Sequence, residues 1–175
     1  MALKLDDKKR IIEEVSAIAV EAYSVVAAEY RGLTVEDMTN LRRQAREANV
    51  QVRVIKNTLA RRALAGTQFE DIGSELVGPL VYAFSMEDPG SAARVYKNFA
   101  KENEGLVVKV LTIGNGAMGA DQLDSVASLP TYDEAISKLM FVMKAPVEQL
   151  AKTLNEVPGK LVRTVAAIKD AKEAA

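Results

Sequence analysis

Seven cations, Arg42, Arg43, Arg46, Arg53, Lys56, Arg61 and Arg62, lie within the 21 residues RRQAREANVQVRVIKNTLARR (42–62), against a single anion, Glu47. The formal charge of this stretch is +6 in a chain whose total is −1, so the remainder is net acidic. Guanidinium and ammonium groups at this density supply charge-assisted hydrogen bonds to phosphate, and a local field of this sign attracts a polyanion whatever the total charge. The chemistry on offer is therefore anion binding.

A second pattern that could carry chemistry is Gly114-Asn115-Gly116-Ala117-Met118-Gly119, which matches the G-x-G-x-x-G dinucleotide fingerprint and follows a predicted strand. Its context argues for a plain glycine turn leaving the domain. The helix beyond it is cut short by Pro130, and no third strand follows to carry a ribose-binding acid. A nucleotide-dependent enzyme built on these glycines is the weakest of three readings, and dinucleotide binding is not expected. The chain contains no cysteine and no histidine. Disulfides, thiolate metal sites, Ser-His or Cys-His nucleophiles and the commonest neutral-pH base are thereby removed. No cofactor, metal or catalytic residue is expected.

The elements that must position the cations follow from pattern. At 175 residues, nearly half of them apolar, the chain is long enough to bury a core. Residues 3–22 place Ile11, Val15, Ile18 and Ala22 at helical spacing, with Asp6 and Asp7 at the favourable end of the dipole. YSVVAAEY (23–30) reads as a buried strand ending at Arg31-Gly32. Thr34 with Glu36 and Asp37 resembles a capping box, opening a helix whose stripe is Val35, Met38, Leu41, Ala45 and Ala48 and whose C-terminal end carries Arg42, Arg43 and Arg46.

Val50, Val52 and Val54 alternate as a half-buried strand; Asn57 is placed to N-cap the next helix, and Gly66 to stop it. Residues 76–84 read as a strand interrupted by Gly78-Pro79, Asp88-Pro89 opens a helix through about Asn103, and LVVKVLTI (106–113) is a further strand. A helix followed by two βαβ units predicts an α+β fold: a ferredoxin-like split βαβ sheet domain with helices on one face and an extra N-terminal helix.

LPTYDE (129–134) marks a boundary, dividing residues 1–130 from a helical tail at 131–175. In the tail Ile136, Leu139, Met140, Met143, Val147, Leu150, Leu154, Val157, Leu161, Val165 and Ile168 recur mostly three or four apart, one apolar stripe about thirty residues long. Such a helix reaches on the order of 50 Å, beyond the face of a small domain, so part of the stripe needs a partner chain. Pro146 and Pro158 divide it into three segments of roughly ten residues, a kinked series.

The charged N-terminus lacks the apolar core of a signal peptide and no apolar run is of spanning length, so a cytoplasmic protein without membrane contact is expected. The predicted sheet lacks the exposed pair of aromatics on a central strand by which RNA-recognition sheets stack bases; LVVKVLTI has no aromatic at all. If nucleic acid binds, arginine contacts to the backbone and shape of structured RNA are the expected mode. The competing reading is a protein-only helical adaptor with the arginines merely solvating its surface, and a structured-RNA pull-down separates the two.

RGLTVEDMTNLRRQAR (31–46), VRVIKNTLARRAL (52–64), VGP (77–79) and the tail from PTYDEAISKLM to GKLVRTVAAIKDAKEAA closely resemble the family of bacterial large-subunit ribosomal protein ten, the stalk-base protein, over essentially the whole chain. The resemblance implies an N-terminal domain bound to large-subunit rRNA at the base of the lateral stalk beside protein eleven. It also implies a C-terminal helix carrying dimers of the acidic stalk proteins seven/twelve, which recruit translational GTPases, and it allows repression of the protein's own messenger. Arg31, Gly32, Lys56, Asn57, Arg61 and Arg62 match the family's RNA-facing motifs; Arg42, Arg43 and Arg46 are added from charge alone. APVEQLAKTLNEV (145–157) is longer than the shortest family tails, giving room for three dimers, or two if Pro158-Gly159 spoils a site.

Overall fold

The computed structural model describes residues 5–103, 105–114 and 116–173, with the backbone alone at Val157. Leu3 and Lys4 of the expected first helix and Asn115 of the glycine pattern lie outside the described residues, as does the side chain of Val157. The chain divides into two compact units, Met1–Thr131 and Tyr132–Ala175.

The first unit is a five-stranded antiparallel sheet in the order β2-β3-β1-β4-β5. Its elements are α1 (Leu5–Glu21), β1 (Ser24–Glu29), α2 (Val35–Glu47), β2 (Val50–Val54), α3 (Asn57–Leu64), a 3₁₀ turn (Glu70–Ser74), β3 (Leu80–Ser85), α4 (Ser91–Glu102), β4 (Val107–Thr112), β5 (Met118–Gly119) and, after a second 3₁₀ turn, α5 (Leu123–Ala127). β3 lies between β1 and β2 and runs against both, so the strands of the first βαβ unit are parallel and separated by one strand. This is the split βαβ arrangement that the element order predicts.

Helices cover both faces of the sheet, where the sequence reading placed them on one. The crossover helices share a face: Leu41 and Ala45 of α2 and Ala92, Tyr96 and Phe99 of α4 pack on Val26, Ala28, Val81 and Ala83. On the other face Val15 and Ala19 of α1 and Ala60, Ala63 and Leu64 of α3 pack on Val25, Ala27, Tyr82 and Phe84. Successive strand residues point to opposite faces, so VVAA in β1 is buried throughout because each face has its own helical layer. The alternation breaks once: β4 pairs through Val108 and Val110 with consecutive residues of β1, and the extra residue, Lys109, turns outward to Glu29 at 3.5 Å.

Local chemistry sets the boundaries. The Thr34 backbone N–H donates to Asp37 Oδ2 at 3.0 Å and the Asp37 N–H donates to Thr34 Oγ1 at 3.2 Å, a complete capping box. Val35 departs from its predicted stripe: it is the first residue of α2 and is 84% exposed. β3 begins only after Pro79, so residues 76–79 form a loop, not the start of the strand. Gly114 and Gly116 hold left-handed φ angles of 84° and 102°, and the turn they make brings β5 back onto β4. The glycine pattern thus closes a hairpin inside the domain and does not lead out of it.

The second unit is one helix, α6 (Tyr132–Glu173), assigned through both Pro146 and Pro158. The expected series of segments is one continuous element. Each proline still removes an N–H, freeing the carbonyls of Val142 and Leu154 from the ladder. On its polar side Lys144–Glu148, Lys160–Glu156 and Lys169–Glu173 form i,i+4 pairs.

Candidate nucleic-acid interface and exposed helix

Three stretches far apart in sequence meet at one end of the sheet. Tyr30 at the end of β1, Val54 to Thr58 at the β2–α3 junction, and Gly78 to Leu80 at the start of β3 line one shallow hollow. Arg31 and Gly32, both exposed, follow Tyr30 directly. Gly32 has φ +97°, a conformation that favours glycine, which explains its place in the turn.

Asn57 is the hub of this corner, in a role other than the one its sequence suggests. It is the first residue of α3 and its side chain does not cap the helix. Its amide nitrogen donates to the carbonyls of Gly78 at 2.9 Å and Leu76 at 3.3 Å, and its Oδ1 accepts from Tyr82 Oη at 3.1 Å. Arg61 Nη2 adds a bond to Leu76 O at 2.9 Å. Together they hold the Leu76–Pro79 loop against α3. Gly78 has φ +90°, a conformation that favours glycine, and a Cβ there would displace the Glu29 carboxylate, 2.9 Å away.

The remaining cations are uncommitted. Among the described residues the side chains of Arg31, Arg42, Arg43, Arg46, Arg53, Lys56 and Arg62 make no hydrogen bond or ion pair, whereas Arg94, Lys97 and Lys109 are each paired with a carboxylate. All seven are exposed. Arg42, Arg46 and Arg53 line a groove along β2, an edge strand. Arg43 is exposed outside that groove, and Arg53, counted only in the charge of its stretch, is the residue the site reading from sequence missed. Its signal was position on a strand whose neighbour on one side is absent, which periodicity does not report.

Burial sets the one large titration shift here. Burial pushes the Tyr82 hydroxyl up to about 12, with the positive charge of Arg61 pulling it partly back. Tyr82 and Phe84 are the aromatics of the interior strand β3, and both are fully covered. With helices on both faces, the sheet has no surface on which to stack bases.

In α6 the predicted stripe is exposed, from 36% at Ile136 to 71% at Met143. Ile136, Leu139, Met140, Met143, Val147, Leu150, Leu154, Leu161, Val165 and Ile168 all belong to it. Phe141, Val142 and Val162 are exposed apolar side chains off the stripe, at 66%, 64% and 69%. The run of five apolar residues from Leu139 to Met143 was the signal for Phe141 and Val142. No helix among the described residues is long and apolar enough to cross a membrane.

A family model described as ribosomal protein L10 matches residues 3–101, and one described as ribosomal protein uL10 C-terminal region matches residues 129–157. The large ribosomal subunit protein uL10 of Thioalkalivibrio sulfidiphilus is 60% identical over 174 residues, 99% of each chain. That of Halorhodospira halophila is 58% identical over 175 residues, 100% of each chain.

Proposed function

The chain belongs to the ribosomal protein L10 family of the large ribosomal subunit, and from that premise we propose that it is a scaffold with two binding ends, an rRNA-binding domain and a helix that anchors acidic partner proteins. The observation that carries the first half is the set of uncommitted cations running from the groove beside β2 to the Lys56 corner. Ion-pairing a cation with a nearby carboxylate offsets its charge at little cost. Leaving Arg31, Arg42, Arg46, Arg53, Lys56 and Arg62 unpaired around the groove and the corner, while Arg94, Lys97 and Lys109 are paired, supports an anionic ligand at this surface. Covered sheet faces favour contacts to phosphate and groove shape over stacking.

The second half rests on α6. An apolar stripe of this length, exposed throughout its described positions, has the form of a helix that lays its face into a partner's groove. The partners proposed for it are two or three dimers of the acidic stalk proteins, three being favoured by length, with protein eleven beside the domain and translational GTPases recruited through the dimers. The site is then cytoplasmic, on the ribosome. The domain's rRNA affinity also gives it the means to bind its own messenger leader.

The test is a salt titration of full-length protein on a transcript of the stalk-base region of large-subunit rRNA. Arg62→Ala is expected to weaken binding and to flatten the plot of log K against log salt by roughly one unit. A wild-type protein that fails to retain the transcript at moderate salt would return the protein-only adaptor as the better reading.

A further inference from the structure

β2 ends the sheet, and among the described residues no strand pairs with its outer edge. The register fixes which groups that edge presents. Met86 N–H donates to Asn49 O, which makes Asn49–Met86 a hydrogen-bonded pair, and the same register pairs Gln51 with Phe84 and Arg53 with Tyr82. Antiparallel pairs alternate. The N–H and C=O groups of Val50, Val52 and Val54 therefore point away from β3, into the groove whose wall is Arg42 and Arg46, one helical turn apart on α2, and whose rim is Arg53. Asn49, Met86 and Glu87, whose carboxylate accepts from Asn49, extend the hollow at one end, where Arg46, Val50 and Gln51 recur in its lining; at the other, Val54 lines both this groove and the Lys56 corner.

An open edge of this kind alternates donors and acceptors. A bare phosphate chain would satisfy the N–H groups and the guanidinium groups but would meet the carbonyls as like charge. A ribose–phosphate strand satisfies both, because the 2′-hydroxyl is a donor. An extended acidic peptide adding as a further strand would also satisfy both. Continuity of the groove with the Lys56 corner, where uncommitted cations persist beyond the end of the strand edge, favours the occupant whose charge also continues beyond it.

We infer that the β2 edge groove is a ribose-backbone site. Arg42, Arg46 and Arg53 take successive phosphates of one RNA strand, and the outward carbonyls of β2 accept from its 2′-hydroxyls, so that this edge tells RNA from DNA. The inference rests on the rRNA-binding reading above and adds Arg53 and the strand backbone to it.

The experiment uses the full chain and the same stalk-base transcript. Arg42→Gln, Arg46→Gln and Arg53→Gln are each expected to lower the salt slope by about one unit; Arg43→Gln, which removes the same charge from outside the groove, is expected to change it by less than half as much. All four residues are exposed and make no side-chain bond, so unfolding temperatures should stay at the wild-type value, and this is measured for each. In parallel, transcripts carrying on average one random 2′-deoxy substitution are partitioned into bound and free. Wild type is expected to exclude a short run of deoxy positions from the bound fraction, and the Arg46→Gln/Arg53→Gln double variant to readmit them. Equal slopes for Arg43→Gln and the groove variants, or no excluded run, or a run unchanged in the double variant, would overturn the inference while leaving rRNA binding intact. Unchanged RNA binding by the groove variants with an acidic extended peptide crosslinking to β2 would assign the edge to protein. Failure of wild type to bind the transcript would remove both readings together.

Discussion

Arg61 and Arg62 are adjacent, both exposed and both charged, yet the fold separates their roles. Arg61 is bonded to the carbonyl of Leu76 beside Asn57, while Arg62 makes no side-chain bond among the described residues. Asn57→Ala takes the donor of Gly78 O and one of the two donors of Leu76 O, whereas Arg61→Ala takes only the other donor of Leu76 O, so the first should lower unfolding free energy by about 1–2 kcal/mol in urea and the second by about 0.5–1 kcal/mol, with Arg62→Ala within experimental error of wild type. Equal stability of all three would show that the loop is held by its buried Leu76 alone. The same corner carries a pH signature. Tyr82 titrates at 10.0 when unperturbed and at about 12 in its buried setting, so the folded state holds the proton longer. Its contribution to stability is complete below pH 10 and is lost as pH rises toward 12. Tyr82→Phe should therefore make the alkaline fall in stability shallower, read as urea midpoints at pH 9 and 11.

Helix α2 shows what an element owes to its own sequence. Its start is written in Thr34 and Asp37, which exchange backbone and side-chain bonds. Those bonds, the Thr34 side chain first, hold the Asp37 carboxyl below its ordinary 3.8. The stabilisation is present above that value and is lost as pH falls through the lower folded one. Thr34→Ala is expected to lower the unfolding temperature by a few degrees at neutral pH, the difference from wild type narrowing below pH 4; a difference independent of pH would separate the cap from Asp37. Caps and alternation are local signals, which is why the order of elements, the split βαβ class and the stripe of α6 could be read directly. What was not legible depends on distant partners. The Val50, Val52, Val54 alternation marks a strand without saying that it is the edge, and the second helical face arises from α1 and α3, whose apolar residues do not name the surface they cover. Asn57 has the residue type of an N-cap, but its amide is claimed by Gly78 O, 21 residues away. Val35 fell on the predicted stripe because a helix start offers too few neighbours to fix its angle. β5 is two residues long, below the length at which alternation exists.

At the scale of the molecule the two compact units divide the proposed tasks, and the division is itself testable. α6 spans 42 residues, about 60 Å at the helical rise, and its exposed leucines fall in different stretches: Leu150 between the two prolines and Leu161 beyond the second. An aspartate on the stripe places a charge where a partner's apolar groove must close over it, which costs several kcal/mol unless the charge is paired. Leu150→Asp and Leu161→Asp are each expected to remove one dimer of the acidic partner from the co-expressed complex, counted by native mass spectrometry, from about three in wild type at one per roughly ten-residue segment. The two substitutions are also expected to leave the rRNA salt slope unchanged, because the residues that set it lie in Met1–Thr131. Loss of every dimer from a single substitution would mean that the stripe is one cooperative site. If Leu161→Asp alone had no effect, the count would fall to two and Pro158 would mark the end of the usable face. A wild-type tail that carries no acidic partner would refute the anchoring half of the proposal while leaving the RNA-binding half standing.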